Sequence, residues 1–413
     1  MFGPLARLLT AATLARTADS GGAVVAVLAS VHAYGGPARG ALAMAALLVP
    51  QLAAGPFVGL ITDRARNPRL VHAGFAAVFG AALGGVLLLL GHAPMPVVLV
   101  LALVAGCCGP MVFGGLSSRL DDVVPKERQA RARGLDAATY NVAEIAGPAV
   151  AAGLAAWAGV APAAGVLAGA GVAAAVLLLT VGGKPHRTRE ARFVDDLRDG
   201  FRAVVVDRVL RAVTVATLFQ AFGLGILTPV AVLLGARSGH AAGGGLLVTA
   251  LGVGALAGSL LVARHPPRWP AHRVVLVCLA ACGAALAVVP FTASWPVLVG
   301  LFAVAGFFDG PLLASVLQVR ATQAPPHTRT QVFTLGAGLK LTGAAVGAAS
   351  FSLFADAPVA VIAAVLAGSQ LLAAAVGAVL LLGGAVRSAA DRALPTERAA
   401  PQPGEPPVTR VPD

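Results

Sequence analysis

The sequence predicts an all-α integral membrane protein of twelve transmembrane helices, arranged as two related sets of six. Three observations carry this. The 413-residue chain is 58% hydrophobic and only 12% charged, with a mean hydropathy of +0.85, whereas soluble domains carry about 25% charged residues. Apolar stretches of about 20 residues, the length that crosses the hydrocarbon as a helix, can be laid down twelve times. Residues 106–128, GCCGPMVFGGLSSRLDDVVPKER, also superpose on 307–329, FFDGPLLASVLQVRATQAPPHTR, under a shift of 201. Gly109-Pro110 then falls on Gly310-Pro311, Arg119 on Arg320, Pro125 on Pro326 and Arg128 on Arg329.

In chain order the expected spans are 8–32, 38–61, 70–91, 96–116, 135–157, 160–182, 209–235, 242–263, 273–293, 295–319, 330–353 and 357–384. The first contains charges and the eighth begins in Gly243-Gly244-Gly245, which makes these two patterns the weakest. The connections test the count independently, because short cytoplasmic loops are enriched in Lys and Arg. With the amino terminus inside, twenty-six of the thirty basic residues fall on the cytoplasmic side, Arg39 and Arg237 fall outside, and Arg16 and Lys340 lie within spans. The net charge of +12 therefore reads as topology and attraction to anionic headgroups. Nucleic-acid binding is not expected, since no soluble fold carries a basic patch.

The chain divides into 1–183, a polar linker 184–208, 209–385 and a Pro- and charge-rich tail 386–413 expected to be a disordered cytoplasmic segment. In the linker, Phe193, Leu197, Phe201 and Val204 recur at helical spacing with charges on other faces, which predicts an amphipathic helix on the membrane surface. Cys107, Cys108, Cys278 and Cys282 all fall in apolar spans. Cys278 and Cys282 share a helix face, but no further ligand completes a four-ligand site, so inert thiols, no disulfide and no metal are expected. The amino terminus lacks a signal-peptide cleavage pattern, and the first span is read as a retained anchor.

Residues Gly59 to Leu70, GLITDRARNPRL, join a glycine-bearing helix end to a compact charged turn. This turn resembles the loop between the second and third helices of the major facilitator superfamily: Gly59, Asp63 and Arg64 fit its pattern and Arg66 and Arg69 supply the basic tail, with Pro68 near where a second glycine often stands. The resemblance implies two pseudo-symmetric six-helix bundles around a midplane substrate site. It also implies a gating role for the turn, with Asp63 near a helix amino terminus and the basic residues meeting acids across the bundle. The corresponding turn after span eight, Gly258 to Arg273, lacks the Asp. The segment DDLRDGFRAVVVDRVLRAV resembles the linker of the enterobactin-exporter-like branch, which includes drug efflux proteins, and Arg16 with Asp19 resembles the Arg and Asp near the start of that branch's first span. Gly147-Pro148 with Gly153 is similar in part to the fifth-helix motif of superfamily antiporters, in which glycines allow close packing and proline interrupts the hydrogen-bond ladder.

Charges inside a span cost about 2.5 to 3.5 kcal/mol each on insertion scales, so each requires a reason. Arg16 and Asp19 lie in span one, Glu144 in five, Asp309 in ten and Lys340 in eleven, the helices that the resemblance places around the cavity. Arg16 and Asp19, three apart, are expected to pair. Asp19 is then either a proton site or half of a permanent brace. Tyr140, Asn141 and Glu144 cluster at i, i+1 and i+4; Glu144 is open to proton transfer, contact with a cationic substrate, or a structural hydrogen bond. Asp309 and Lys340 are expected to form a cross-helix pair, static or broken during coupling. Gln51 and Gln220 add neutral hydrogen-bonding groups. Phe219, Phe222, Phe307 and Phe308 are candidates for an apolar cavity wall, with ordinary helix packing as the alternative.

The expected function is a secondary transporter that exports a small, partly hydrophobic molecule in exchange for protons. It needs no cofactor, spans a lipid bilayer with both termini cytoplasmic, and acts as a monomer, as the superfamily generally does. The excess of Arg over Lys with abundant Ala and Gly points to a bacterial plasma membrane. Import of a polar solute is the alternative, although two Tyr and three Trp provide little polar aromatic lining. An enzyme is not expected, for the eight His are scattered and no acid cluster has ligand spacing. No phosphate-gripping glycine loop precedes a Lys, which argues against a nucleotide-driven pump, and no appended core-forming domain suggests a sensor.

Overall fold

The computed structural model describes residues 3–35, 38–182, 193–240, 244–351 and 357–393. Among them every regular element is helical: α1 (Pro4–Tyr34), α2 (Ala38–Asp63), α3 (Pro68–Leu89), α4 (Met95–Val123), α5 (Gln129–Ala158), α6 (Val160–Leu179), α7 (Phe193–Val206), α8 (Arg208–Arg237), α9 (Gly244–Arg264), α10 (Ala271–Ala287), α11 (Trp295–Gln323), α12 (Arg329–Ser350) and α13 (Val359–Ala393). Ten described helices are long and apolar enough to cross a membrane, and α2, bent within its length, makes an eleventh. α5 is not among them: at 30 residues it is long enough, but its arginines, Asp136, Asn141 and Glu144 dilute its apolarity.

Several boundaries differ from the sequence expectation. α4 runs on to Val123 instead of ending at 116, and carries a single π turn at Met111–Gly115. Pro110 donates no backbone hydrogen bond, and Gly114-Gly115 add freedom just after it, which suits a wider turn. α10 ends early, in a short 3-10 turn at Val289–Phe291. α13 continues to Ala393, so the first part of the expected tail is helix; residues 394–413 lie outside the described residues. In the linker, α7 is the expected amphipathic helix, with Val204 buried and Phe201 exposed, while 183–192 lie outside the description.

Packing follows the internal repeat. α1 packs on α5 and α6, α3 on α4 and α6, and α2 on α4; α8 packs on α12 and α13, α10 on α11 and α13, and α9 on α11. The second set is the first with each label raised by seven. The largest apolar core draws only on residues up to Val181, and two further cores draw only on residues from Val204 onward. Contacts between the sets repeat as well, with α2 against α12 and α5 against α9.

Glycine makes the closest crossings possible. At Gly147 a Cβ would stand 2.8 Å from the Gly21 nitrogen and 3.0 Å from the Thr17 carbonyl oxygen, so α1 and α5 touch backbone to backbone, as small residues permit. Gly153 has no such role, because a Cβ there meets nothing within 4 Å. Of the two glycines expected to pack helices together, Gly147 lies at a close crossing and Gly153 does not.

Candidate functional site

The basic turn is built as a clamp between the two halves. Gly59 rests directly on the backbone of Gln331, where any Cβ would overlap it. One turn earlier Thr334 Oγ1 donates to the Gly55 carbonyl at 2.6 Å. This approach delivers Asp63 to the amino terminus of α12, where it accepts the Thr330 N–H at 3.1 Å and the Gln331 N–H at 3.0 Å. Those donors have no partner within their own helix, and a carboxylate there also meets the positive end of the helix dipole. Ser118 Oγ and Thr330 Oγ1 add a contact at 3.1 Å.

In the turn itself Arg66 and Arg69 are exposed and Arg64 is half-buried. A basic-to-acidic contact also crosses from the second half, where Arg329 pairs with Asp121 of the first at 3.0 Å. Asp121 also binds the buried Arg133, whose second nitrogen donates to the Ser117 carbonyl at 2.6 Å. α7 sits against the same place: Gln331 Nε2 donates to the Leu197 carbonyl at 2.9 Å, and Asp199 lies 3.9 Å from His327.

Deeper in the first half, Arg16 is buried in a shell of acceptors. It pairs with Asp136 at 2.9 Å and donates to Ser117 Oγ at 3.0 Å, Phe113 O at 3.2 Å and Val112 O at 3.3 Å, as well as to Thr139. Its guanidinium carbon stands 3.5 Å from the Tyr140 ring centroid. The Val112 and Phe113 carbonyls belong to the π turn, which explains what the irregularity supplies: acceptors turned from the ladder toward a buried cation. Tyr140 donates to the same Phe113 carbonyl at 2.6 Å. The expected Arg16–Asp19 pair is therefore corrected. Three-residue spacing allowed it, but a partner on another helix with a full hydrogen-bond shell wins.

Asp19 is left to another neighbour, and the charged group that acts on it is Glu144. Glu144 is exposed although Ala143 and Gly147 beside it are buried, and the charge acting on it is Lys340 of the second half. Lys340 also acts on Asp309, but the expected direct pair is absent among the described residues. Asp309 instead accepts from Gln220 Nε2 at 2.8 Å. Asp19, Glu144, Lys340 and Asp309, from α1, α5, α12 and α11, are thus linked in series by electrostatic interaction.

The remaining candidates separate. Gln220 joins this series through Asp309. Gln51 is buried against Gly109 of α4, with Nε2 donating to Leu47 O at 3.4 Å, which makes it a packing residue. Asn141 donates to Ala137 O and to Ser259 Oγ of α9, and so lies on the contact between halves. Phe219 and Phe307 are exposed, Phe308 packs on the second-half core, and the Phe222 backbone is crossed by Gly347. Sequence reasoning missed Asp121, Asp136, Arg133, Arg329 and Gln331. Asp136 was detectable, since Asp136, Tyr140 and Glu144 recur every four residues along one stripe of α5.

A model of the Major Facilitator Superfamily matches residues 8–348, and the chain belongs to that family of membrane transporters. The multidrug efflux pump Tap of Mycobacterium tuberculosis is 30% identical over 356 residues, 80% of this chain and 82% of Tap. An uncharacterized MFS-type transporter, y4rN, of Sinorhizobium fredii is 28% identical over 360 residues, 83% of this chain and 86% of that protein. Among solved structures, a bacterial homologue of the iron transporter ferroportin in its outward-facing state superposes with a TM-score of 0.75 at 18% identity, covering 92% of this chain and 99% of that one.

Proposed function

We propose that this transporter exports a small, partly hydrophobic molecule in exchange for protons, by alternating access of the bundles 1–183 and 209–385. The observation that carries the reading is the mid-span set Asp19, Glu144, Asp309 and Lys340. Four ionisable groups at that depth, drawn from both halves, would be retained at a cost of about 2.5 to 3.5 kcal/mol each only for a purpose. Carboxyls whose surroundings change as the halves rock take up and release protons. The clamp of Asp63 on α12 and the Arg329–Asp121 bridge hold together the ends that carry the basic loops, which supports an outward-open arrangement. Likeness to Tap, a multidrug efflux pump, supports export of a hydrophobic solute. Placement of the basic loops supports both termini on the cytoplasmic side, with α5 completing twelve spans; the Arg- and Ala-rich composition supports a bacterial plasma membrane, and a monomer as the working unit follows the general habit of the superfamily.

The test is accumulation of dyes, antibiotics and siderophores in efflux-deficient bacteria expressing the chain, with and without a protonophore. Export predicts protonophore-sensitive loss of at least one compound. Increased uptake would favour import of a polar solute instead.

A further inference from the structure

The turn between α9 and α10 is the second-half counterpart of the Asp63 turn, and it is built differently. Under the 201-residue shift Asp63 corresponds to Arg264, while Thr330 and Gln331, whose N–H groups Asp63 accepts, correspond to Gln129 and Ala130 at the amino terminus of α5. Around Asp63 and Arg329 the remaining cavity is only about 20 Å³. In the counterpart position a cavity of about 370 Å³ opens, walled by Ala130, Val262, Trp269, His272 and Gln318. That volume lies in the range of small-ligand sites. α5 is a 30-residue helix with no side-chain cap and no acid in its first turn. One wall atom, Gln318 Oε1, is buried without a hydrogen-bond partner, as is Nε of Arg208, next to the wall residue Val209. Arg264, Arg268 and Arg273 are exposed and flank, in sequence, the wall residues Val262, Pro267, Trp269, His272 and Val274, and Arg208 and Arg273 act electrostatically on the wall residue His272. Among the described residues, no acidic side chain lines the cavity.

We propose that this cavity binds the phosphate headgroup of an anionic glycerophospholipid, which stands where the first half carries the Asp63 carboxylate. Helix amino termini and clustered arginines both favour phosphate. Trp269, 61% exposed at the mouth, suits the membrane interface. Val209, Val262, Val274 and Val319 give an apolar wall for the start of an acyl chain. A headgroup that also carries hydroxyls, such as that of phosphatidylglycerol, supplies the donor that Gln318 Oε1 lacks. The leaflet is the cytoplasmic one on the orientation proposed above, but binding itself does not depend on transport.

The experiment is native mass spectrometry of the full-length protein released from nanodiscs of phosphatidylcholine doped with phosphatidylglycerol, with a parallel melting assay in inorganic phosphate. The parent protein retains one phosphatidylglycerol in preference to phosphatidylcholine. Arg264→Asp restores the carboxylate of the first half and lowers that retention about fivefold or more, the scale of one lost basic contact at a membrane surface. Thr322→Trp fills the mouth without a charge change and does the same, which decides the matter should Arg264→Asp fold poorly. Arg69→Asp, an identical charge change in the counterpart turn, leaves retention within about twofold. Equal loss in Arg264→Asp and Arg69→Asp would reduce the effect to general surface charge and overturn the site. Melting that rises with inorganic phosphate but not with the lipid would overturn the lipid assignment in favour of a free anion.

Discussion

The Arg16 guanidinium lies 2.9 Å from the Asp136 carboxylate, 120 residues away in sequence, with side chains only 1% and 2% exposed. The pair joins α1 to α5 within the first half, whereas the clamp at Asp63 joins the halves to each other. Breaking a buried ion pair by removing one partner strands the other charge, at a cost of about 3 to 5 kcal/mol. Asp136→Ala should therefore lower the melting temperature of the detergent-purified protein sharply, and Arg16→Met combined with Asp136→Leu should recover a large part. Single and double variants that melt alike would show that the pair does not act as a unit.

Gly147 and Gly153 give a paired test of helix contact. A methyl group at Gly147 would meet the Gly21 nitrogen and the Ser20 Cβ of α1 at 2.8 Å and the Thr17 carbonyl oxygen at 3.0 Å, with no flexible side-chain end to yield. Gly147→Ala should reduce folded yield and melting temperature, since overpacking costs about 1 to 3 kcal/mol. Gly153→Ala should be neutral or slightly stabilising, because it faces open space and alanine is the better helix former. Equal effects at the two positions, read by fluorescence size-exclusion chromatography after heating, would refute this assignment.

The spans, the basic connections and the repeat were legible because each is a property of one stretch of chain: apolar length, loop charge, or a motif recurring at a fixed shift. Asp63 was legible for the same reason, as part of a turn with a recognisable pattern. Partners were not. Arg16 was given to Asp19 because three-residue spacing is all that a single helix reveals, while its acceptors come from a π turn and a helix about a hundred residues downstream. Lys340 was given to Asp309 because the helices are consecutive, yet Gln220 of α8 occupies that carboxylate. Gln51 read as cavity lining because a polar residue in a span invites that reading, but Gly109 leaves just enough room to bury it.

The gate should respond in rate and not in preference. Asp63 makes two charge-assisted bonds to backbone N–H groups of the opposite half, each worth about 1.5 to 3 kcal/mol. Asp63→Asn keeps the shape and loses the charge, and Arg329→Gln removes the bridge to Asp121. Both variants should lower initial rates of efflux for two unlike substrates by a common factor. A changed ratio between the substrates would place these residues in recognition, contrary to the gating role.

Asp19 offers the sharpest test of coupling. It is half-buried in α1, the neighbouring cation Arg16 is committed to Asp136, and the charge it feels is the acid Glu144. Lys340 of the other half acts on Glu144 in turn, so a movement of Lys340 relative to the first half changes the electrostatic surroundings of both acids. Asp19→Asn holds that position neutral in every state. It should insert and fold normally, abolish protonophore-sensitive efflux, and leave exchange of labelled for unlabelled substrate across proteoliposomes intact, since exchange needs the conformational cycle but no net proton movement. Uphill efflux at the parental rate from a well-expressed variant would move the coupling site to Asp309, the other mid-span acid on which Lys340 acts electrostatically.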